Sequence, residues 1–182
     1  MLRHRINPGL ELRQLQPMDA AALFAVVDAH RATLREWLPW VDATVKLADT
    51  EKYIAGTLRD LAATRAFTCG IWSEGRLVGV IGHNRLDWAH RIAFPFYWIA
   101  PDSSGKGIMT QCFRAVIEHA FVELRVKQIV IAVATGNLRA QALPAKLGFT
   151  QVSTLKKAEW LYDHHVDHFI YSLAAPKAGA NS

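Results

Sequence analysis

The sequence predicts an α/β fold, in which a mixed β-sheet carries helices on its faces. The main observation is a glycine-rich turn, residues 104–107, that separates the apolar run 94–99 from a long amphipathic helix. A second apolar run, residues 129–134, follows this helix and is rich in β-branched residues, as is typical of a strand buried on both faces. Another helix begins at Asn137. The order of strand, turn, helix, strand and helix indicates the α/β class.

The first third of the chain is predicted to contain one strand and two helices. Residues 12–15 form the opening strand, and a helix extends from Pro17 to about Leu34, since proline is tolerated in the first helical turn. A break at residues 37–40, with the sequence Trp-Leu-Pro-Trp, precedes the second helix, residues 47–64.

Three strands are predicted next. Residues 67–72 and 77–86 form a hairpin around Glu74 and Gly75, and residues 91–99 form the third strand. The third strand contains Pro95, which cannot donate a main-chain hydrogen bond and is normally confined to edges or bulges. We therefore expect a bulge in this strand.

The last third of the chain alternates helices and strands. Residues 109–124 repeat apolar side chains at steps of three and four, which predicts a helix with one buried face. The helix that follows the strand 129–134 begins at Asn137, a favoured N-cap residue, and ends before Gly148, a typical C-cap. Residues 151–162 and 167–173 are predicted to form a final hairpin.

A polar run at residues 163–168 has the composition of a metal site, with the sequence Asp-His-His-Val-Asp-His. On a strand, residues four positions apart are separated by about 13 Å, which is too far for one zinc ion with bonds of about 2 Å. Only a tight turn would bring these side chains together. The sequence therefore predicts a polar hairpin tip and no metal.

Length and composition indicate one domain. A chain of 182 residues with 51% hydrophobic residues fits a single domain over residues 1–175, followed by a flexible tail over residues 176–182. Cys69 and Cys112 both lie in apolar surroundings, which fits buried residues of a protein in a reducing compartment. No apolar segment is long enough to cross a membrane. We expect a soluble, cytoplasmic protein.

The charge balance is basic, with a net charge of +5 and an isoelectric point near 9.4. The positive residues are scattered along the chain and form no stripe, and no nucleic-acid-binding signature accompanies them. We therefore expect no direct binding to nucleic acid. A basic surface also suits an enzyme that uses a polyanionic cofactor.

The glycine-rich turn is a candidate anion site. Gly105 and Gly107 allow the main chain to approach a ligand, and the unpaired amides at the start of the following helix favour a phosphate. Lys106 adds a mobile positive charge. The turn differs from a nucleotide P-loop, because Lys106 is followed by Gly107 and not by serine or threonine.

These motifs, in this order, resemble those of the GNAT superfamily of N-acyltransferases, and among them the RimJ/RimL-like ribosomal-protein N-terminal acetyltransferases. The resemblance extends over residues 10–173. It is carried by residues 97–99, by the turn 105–110, by Asn137 with residues 146–149, and by the outer segments 11–13, 37–40 and 158–160.

The resemblance implies a GNAT fold: a mostly antiparallel mixed sheet, with helices on both faces and one splayed parallel strand pair. It also implies acetyl-CoA as the acyl donor, with the amides of its pantetheine arm completing the unpaired strand edges in the gap. Homodimerisation is a further implication. The cofactor-binding residues implied are Trp98, Ile99, Ser104, Gly105, Lys106, Gly107, Ile108, Met109, Thr110 and Asn137. Asn137 could instead serve only as a helix cap.

The catalytic groups are less defined by the sequence. The tyrosine and the serine that members of the family use as proton donors are replaced by Pro144 and Ala140. Glu159 matches the acidic residue proposed as base in RimL-like members, and its alternative role is that of a solvated strand residue. His83 could relay a proton through water or simply form hydrogen bonds in the core.

The resemblance places the acceptor near Trp37 and Trp40, although the two tryptophans could also only pack against the first helix. Asn84, at the end of a predicted strand near the site, is a further candidate for binding the acceptor. An α-amine has a pKa roughly 2.5 units below that of lysine, so its neutral form is about 300-fold more abundant at pH 7. Sparse catalytic machinery therefore favours a protein N-terminus. Two alternatives stay open: a small-molecule amine acceptor, and a non-catalytic module that binds acyl-CoA.

Overall fold

The computed structural model describes residues 3–176 and contains one eight-stranded sheet. Its strands are β1 (Arg3–Asn7), β2 (Leu10–Gln14), β3 (Phe67–Ser73), β4 (Arg76–Asp87), β5 (Ile92–Ile99), β6 (Gln128–Ala134), β7 (Thr150–Leu161) and β8 (His164–Ala174). They lie in the order β1-β2-β3-β4-β5-β6-β8-β7. Neighbouring strands run antiparallel except for β5 and β6, which run parallel. The predicted mixed sheet with one parallel pair is confirmed.

The helices are α1 (Ala20–Ala29), α2 (Arg31–Arg35), α3 (Leu47–Ala62), α4 (Ile108–Val122) and α5 (Leu138–Lys146). Short 3₁₀ turns lie at Pro17–Asp19, Pro39–Ala43 and Pro101–Ser103. Within residues 3–176, every helix is too short or too polar to span a bilayer.

The structure differs from the sequence-based predictions in three places. The sequence does not predict the strand β1, because its exposed and half-buried residues alternate without an apolar run and it pairs only with β2. The predicted helix 17–34 is divided, since His30 leaves the helical region and separates α1 from α2. The strand β8 begins at His164, so most of the polar run 163–168 is strand and the turn lies at residues 162–163.

Two further predictions concern the polar run and the tail. Within residues 3–176, no group of three or more His, Cys, Asp or Glu side chains is arranged to hold a metal ion. The predicted tail begins at Pro176, the last described residue, and residues 177–182 lie outside the described part of the chain.

The core is divided by the sheet into two clusters. One cluster packs α4 and α5 on the sheet and includes Phe113, Ile129 and Tyr171. The other packs α1 and α3 on the opposite face, around Val80 and Trp98. On β6, the odd-numbered residues face α4 and α5, whereas the even-numbered ones are half-buried or exposed on the opposite face. The helices α1 and α3 therefore cover the β2–β5 half of that face and leave the β6–β8 half open.

The parallel pairing of β5 with β6 stops after two residue pairs, Ile92 with Gln128 and Ala93 with Ile129. The N–H of Gln128 donates to the carbonyl of Arg91, so the odd-numbered residues of β5 direct their main-chain groups towards β6. The next donor in this ladder would be residue 95, which is proline and has no N–H. Pro95 therefore ends the ladder, and the strands separate beyond it. The bulge expected in β5 lies instead in β4, where the register shifts between His83 and Arg85.

His83 is a fully buried histidine, whose ring stacks edge-on against Phe67 with centroids 4.8 Å apart. Neither ring nitrogen has a hydrogen-bond partner within residues 3–176. Burial lowers the pKa of His83 to about 3, so the ring is neutral near pH 7.

This burial predicts a pH-dependent stability. The unfolded chain, in which histidine titrates near its ordinary pKa of about 6.5, binds more protons than the folded chain below that pH. The free energy of unfolding should therefore fall as the pH drops from about 6.5 towards 3. In His83→Leu the fall should be smaller, and stability at pH 7 should rise by about 1 kcal/mol because two orphaned polar atoms are removed. Urea unfolding at several pH values measures both; parallel curves for the two proteins would contradict this prediction.

Candidate active site

A cleft of about 610 Å³ passes through the sheet where β5 and β6 separate. On one side of the sheet it is lined by the turn before α4 and by the first turns of α5. On the other side it is lined by the end of α2 and the residues that follow, including Trp37 and Leu38. A ligand in this cleft would therefore reach both faces of the sheet.

Within residues 3–176, the main-chain groups at the end of β5 have no strand partner across the gap. The N–H of Ala100 donates to the carbonyl of Val78, so even-numbered residues of β5 direct their main chain towards β4. The odd-numbered residues Tyr97 and Ile99 consequently direct their main-chain groups into the gap. This corrects the expectation for Trp98, which lines the cleft but whose main chain faces β4. Its ring packs against Trp40, with centroids 5.9 Å apart.

The turn before α4 presents main-chain amides to the cleft. Gly105 and Gly107 have φ angles of 79° and 74°, a region that residues with a Cβ rarely adopt. Gly107 is the N-cap of α4 and lacks a side chain, and a Cβ built on it would meet nothing within 4 Å. The first amides of α4 are therefore open to an anion, with the positive end of the helix dipole behind them. Lys106 is exposed beside this turn and is not among the residues that line the cleft.

Asn137 lies on the opposite wall of the cleft and caps α5. Its Oδ1 accepts the N–H of Ala140 at 3.0 Å. The side chain of Gln141 donates to the carbonyls of Ala134 and Thr135 at 3.0 and 2.8 Å and so fixes the preceding turn. The geometry thus establishes the capping role of Asn137, while its contact with a cofactor stays a prediction.

Tyr97 replaces a hydrogen bond that Pro144 removes from α5. In a regular helix the N–H of residue 144 would donate to the carbonyl of Ala140, and proline has none. The hydroxyl of Tyr97 donates to that carbonyl at 3.0 Å. Burial raises the pKa of Tyr97, so the phenol is a neutral donor. This bond joins β5 to α5 beside the gap.

Tyr97→Phe should lower the free energy of unfolding by about 1 kcal/mol, because it leaves the half-buried carbonyl of Ala140 without its donor. The double variant Tyr97→Phe/Pro144→Ala should regain part of this loss, since alanine restores the N–H at position 144. Chemical denaturation of the wild type, both single variants and the double variant measures the coupling. Purely additive effects would show that Tyr97 does not compensate for Pro144.

The loop after α2 is fixed to the far end of the β7–β8 hairpin. The hydroxyl of Tyr162 donates to the carbonyl of Leu38 at 3.1 Å, and the guanidinium of Arg35 stacks over the Tyr162 ring at 3.9 Å. Arg35 also donates two hydrogen bonds to the carboxylate of Asp42. The indole ring of Trp37 lies over Gly136 in the cleft wall, and a Cβ built on Gly136 would be 3.1 Å from this ring. The hairpin thus holds one wall of the cleft in place.

The cleft brings together most of the residues predicted from the sequence and leaves others outside. Those that line it are Trp37, Trp98, Ile99, Ser104, Gly105, Gly107, Ile108, Met109, Thr110 and Asn137. Those that do not are Lys106, Trp40, Asn84, His83 and Glu159. Asn84 is exposed at the β4 bulge, and His83 lies in the core.

Glu159 lies on β7, and its Oε2 is 3.3 Å from Nε2 of His168. Sequence reasoning found neither His168 nor Tyr97 as site residues. His168 belongs to the polar run 163–168. A hairpin tip, the interpretation favoured for this run, places His168 in a turn and not on a strand beside Glu159. For Tyr97, the mid-helix Pro144 was the available signal, because it leaves a carbonyl that requires a donor.

The two cysteines are buried and lie outside the cleft. Burial raises the pKa of the Cys69 thiol to about 12 and that of Cys112 to about 12. A thiol in this environment is a poor nucleophile, because the reactive species is the thiolate.

Comparisons with known proteins agree with this geometry. The family model of the acetyltransferase (GNAT) domain matches residues 9–150. YdaF of Bacillus subtilis (strain 168), named as a candidate ribosomal N-acetyltransferase, is 31% identical over 175 residues, which span 95% of this chain and 95% of that protein. The ribosomal-protein-serine acetyltransferase of Escherichia coli (strain K12) is 26% identical, over 92% of this chain and 94% of that protein.

Among solved structures, the fold is similar to that of RimL, a ribosomal L7/L12 α-N-protein acetyltransferase crystallised with coenzyme A. The TM-score is 0.91 at 24% identity, and the match covers 94% of this chain and 97% of that one. The resemblance inferred from the ordered motifs is thereby confirmed.

Proposed function

We propose that this chain, which belongs to the acetyltransferase (GNAT) domain family, transfers an acetyl group from acetyl-CoA to the α-amine of a protein N-terminus. The observation that carries the proposal is a single cleft that joins the open amides at the start of α4 to unpaired main-chain groups of β5. A diphosphate and a chain of amides are the two chemical features that such a cleft matches, and coenzyme A carries both.

In this arrangement the diphosphate of acetyl-CoA lies against the amides of residues 108–110, where the helix dipole favours negative charge. The main-chain groups of Tyr97 and Ile99 pair with the amides of the pantetheine arm, as an added strand would. The thioester then lies in the gap, where a main-chain N–H can stabilise the oxyanion that forms during attack. The residues proposed for cofactor binding are Ile99, Ser104, Gly105, Gly107, Ile108, Met109 and Thr110, with Tyr97 added and Lys106 at the rim.

Transfer is direct, from acetyl-CoA to the amine within one ternary complex. The buried thiols of Cys69 and Cys112, with pKa values raised to about 12, are unsuited to forming an acyl-enzyme. The amine nitrogen attacks the thioester carbon, the carbon–sulfur bond breaks, and the amine loses one proton. An α-amine suits this site better than lysine, because more of it is neutral near pH 7.

The choice of a protein N-terminus also rests on relatives that are named as ribosomal-protein acetyltransferases. The acceptor would enter from the α2 side of the sheet, past Trp37 and Leu38, which line the cleft there. Trp40, held against Trp98, would extend this apolar wall. A cytoplasmic location and a homodimer stay predictions.

Turnover assays separate the proposal from its alternatives. Release of free CoA thiol should be faster with a peptide that has a free N-terminus than with its Nα-blocked, lysine-containing counterpart. A preference for the blocked peptide would contradict the choice of α-amine. Calorimetric binding of acetyl-CoA without CoA release across a panel of peptides and small amines would instead indicate a non-catalytic binding module. No binding at millimolar acetyl-CoA would overturn the proposal altogether.

A further inference from the structure

The half of the sheet that α1 and α3 leave uncovered contains a histidine–carboxylate pair. Nε2 of His168 lies 3.3 Å from Oε2 of Glu159, and the two side chains are 16% and 37% exposed. Both residues belong to the β7–β8 hairpin, whose far end is bonded to the loop after α2 through Tyr162. The pair is therefore connected to the wall that lines the α2 side of the cleft.

Strand order places His168 closer to the gap than Glu159. The gap lies between β5 and β6, β8 is the next strand beyond β6, and β7 lies outside β8. His168 on β8 pairs with Ala134, the last residue of β6, which borders the gap. Paired residues of neighbouring strands lie about 5 Å apart. Glu159, on β7, lies one strand further from the gap than His168.

The pair faces the side of the sheet from which the acceptor enters. Phe169 and Tyr171 pack with α4 and α5, so the alternate residue His168 points to the opposite face. On β5, the same alternation places Trp98 on that opposite face, since it packs with the α1–α3 cluster. Trp98 thus borders the gap on one face of the sheet, and His168 lies on the same face one strand beyond β6, outside the residues that line the cleft.

A local distortion of β7 directs Glu159 towards His168. Leu155 pairs with His168 and Glu159 pairs with Val166, so four steps on β7 match only two on β8. The bulge is held by Asp167, which accepts hydrogen bonds from Nζ of Lys156 at 2.7 Å and from the N–H of Lys157 at 2.8 Å. Bulges of this kind often re-aim a side chain beside an active site.

We infer that His168 is the proton acceptor of the reaction and that Glu159 positions its ring; this inference rests on the proposed function. Nε2 of His168 is the ring nitrogen that faces the Glu159 carboxylate, at 3.3 Å, so Nδ1 is the nitrogen turned away from it and the one assigned to accept the proton. As the amine attacks and the carbon–sulfur bond breaks, one proton passes from the amine nitrogen to Nδ1. The carboxylate of Glu159 stabilises the imidazolium that forms. The ring then releases this proton to the departing thiolate or to water and returns to its neutral form.

This assignment changes the role expected for Glu159 from base to positioning residue. The residues beside His168 on the neighbouring strands are Leu155, its register partner on β7, Glu159, also on β7, and Ala134 on β6. The remaining charges of the bulge, on Lys156 and Asp167, are paired with each other at 2.7 Å. Asp167 also interacts electrostatically with His168, so Glu159 and Asp167 are the two carboxylates that favour a positive charge on the ring.

The test compares His168→Ala, His168→Gln and Glu159→Gln with the matched control His165→Gln. His165 lies on the same strand with an exposed side chain, stacked edge-on against Trp160 at 4.8 Å. With an N-terminal peptide as acceptor, kcat of both His168 variants should fall about 100-fold, and added imidazole should restore part of the activity of His168→Ala. Glu159→Gln should fall about 10-fold and alter the dependence of kcat on pH. The affinity for acetyl-CoA, measured by calorimetry, should be unchanged in all four variants.

The outcomes distinguish this inference from the proposed function. A wild-type protein that releases no CoA with any amine would refute the function itself. An active wild type with kcat of a folded His168 variant within threefold of it would refute the role of His168. A large loss in His168→Ala that imidazole does not relieve, together with an equal loss in the His165 control, would indicate a structural effect of the hairpin and would also count against it.

Discussion

Gly107→Asp is expected to lower the affinity for acetyl-CoA at least about 100-fold, equivalent to about 2.7 kcal/mol, without unfolding the protein. Aspartate tolerates the left-handed conformation of Gly107 better than most residues, and the space around its Cβ is open. Its carboxylate would lie at the start of α4, where negative charge stabilises the helix. The same charge would repel the diphosphate and occupy the amides that should bind it. Calorimetry and thermal unfolding measure the two effects.

Gly107→Asn is the matched control, because asparagine has nearly the same shape and the same tolerance for positive φ but carries no charge. Its affinity for acetyl-CoA should fall by about 10-fold or less, since only the competition for amides remains. Equal and small losses in both variants would show that the start of α4 does not bind the diphosphate.

Gly79→Ala is expected to lower the free energy of unfolding by about 3 kcal/mol, at the upper end of the range for overpacking. Gly79 on β4 pairs with Ile99 at the end of β5. A Cβ at this position would overlap the carbonyl oxygen of Trp98 and lie 2.9 Å from Cα of Ile99. Main chain cannot yield as a flexible side chain can, so the end of β5 must move. Because Ile99 borders the gap, binding of acetyl-CoA should weaken as well.

Gly56→Ala provides the comparison for this variant. Gly56 lies within α3, and its Cβ would meet only the flexible end of Arg59, at 3.8 Å. Alanine in the interior of a helix should raise stability by about 0.5–1 kcal/mol and leave acetyl-CoA binding unchanged. Urea unfolding of both variants, with calorimetry, measures the contrast. A Gly79→Ala protein as stable as the wild type would contradict the packing argument.

The elements that could be predicted are those whose burial leaves a periodic pattern. The strand 129–134 and the helix 109–124 have apolar repeats set by the core, and their predicted bounds differ from the observed ones by at most two residues. The edge strand β1 has no such pattern, because only the pairing with β2 makes it a strand. The division of α1 from α2 arises at His30, whose residue type gives no warning of a break.

The candidate site could be predicted where local conformation determines it. Gly105 and Gly107 signal a turn because glycine adopts positive φ readily, and the structure places both in that region. The strand register decides which main-chain groups of β5 face the gap, and the sequence alone does not fix this register. The sequence therefore indicates the main chain of Trp98 as a ligand of the cofactor, whereas the structure directs the main chain of Tyr97 into the gap. The hydrogen bond of Tyr97 to Ala140 depends on tertiary packing, and the 3.3 Å contact of Glu159 with His168 depends on a bulge. No local pattern encodes either contact.

The missing N–H of Pro95 also has a kinetic consequence. If β5 and β6 separated only by thermal fluctuation, they would pair along their full length without ligand. A ligand could then bind only to a rarely populated open form. Residue 95 cannot donate in any conformation, so the empty protein retains its opening. Association should therefore behave as a simple bimolecular encounter, whose observed rate rises linearly with ligand concentration and reaches no plateau.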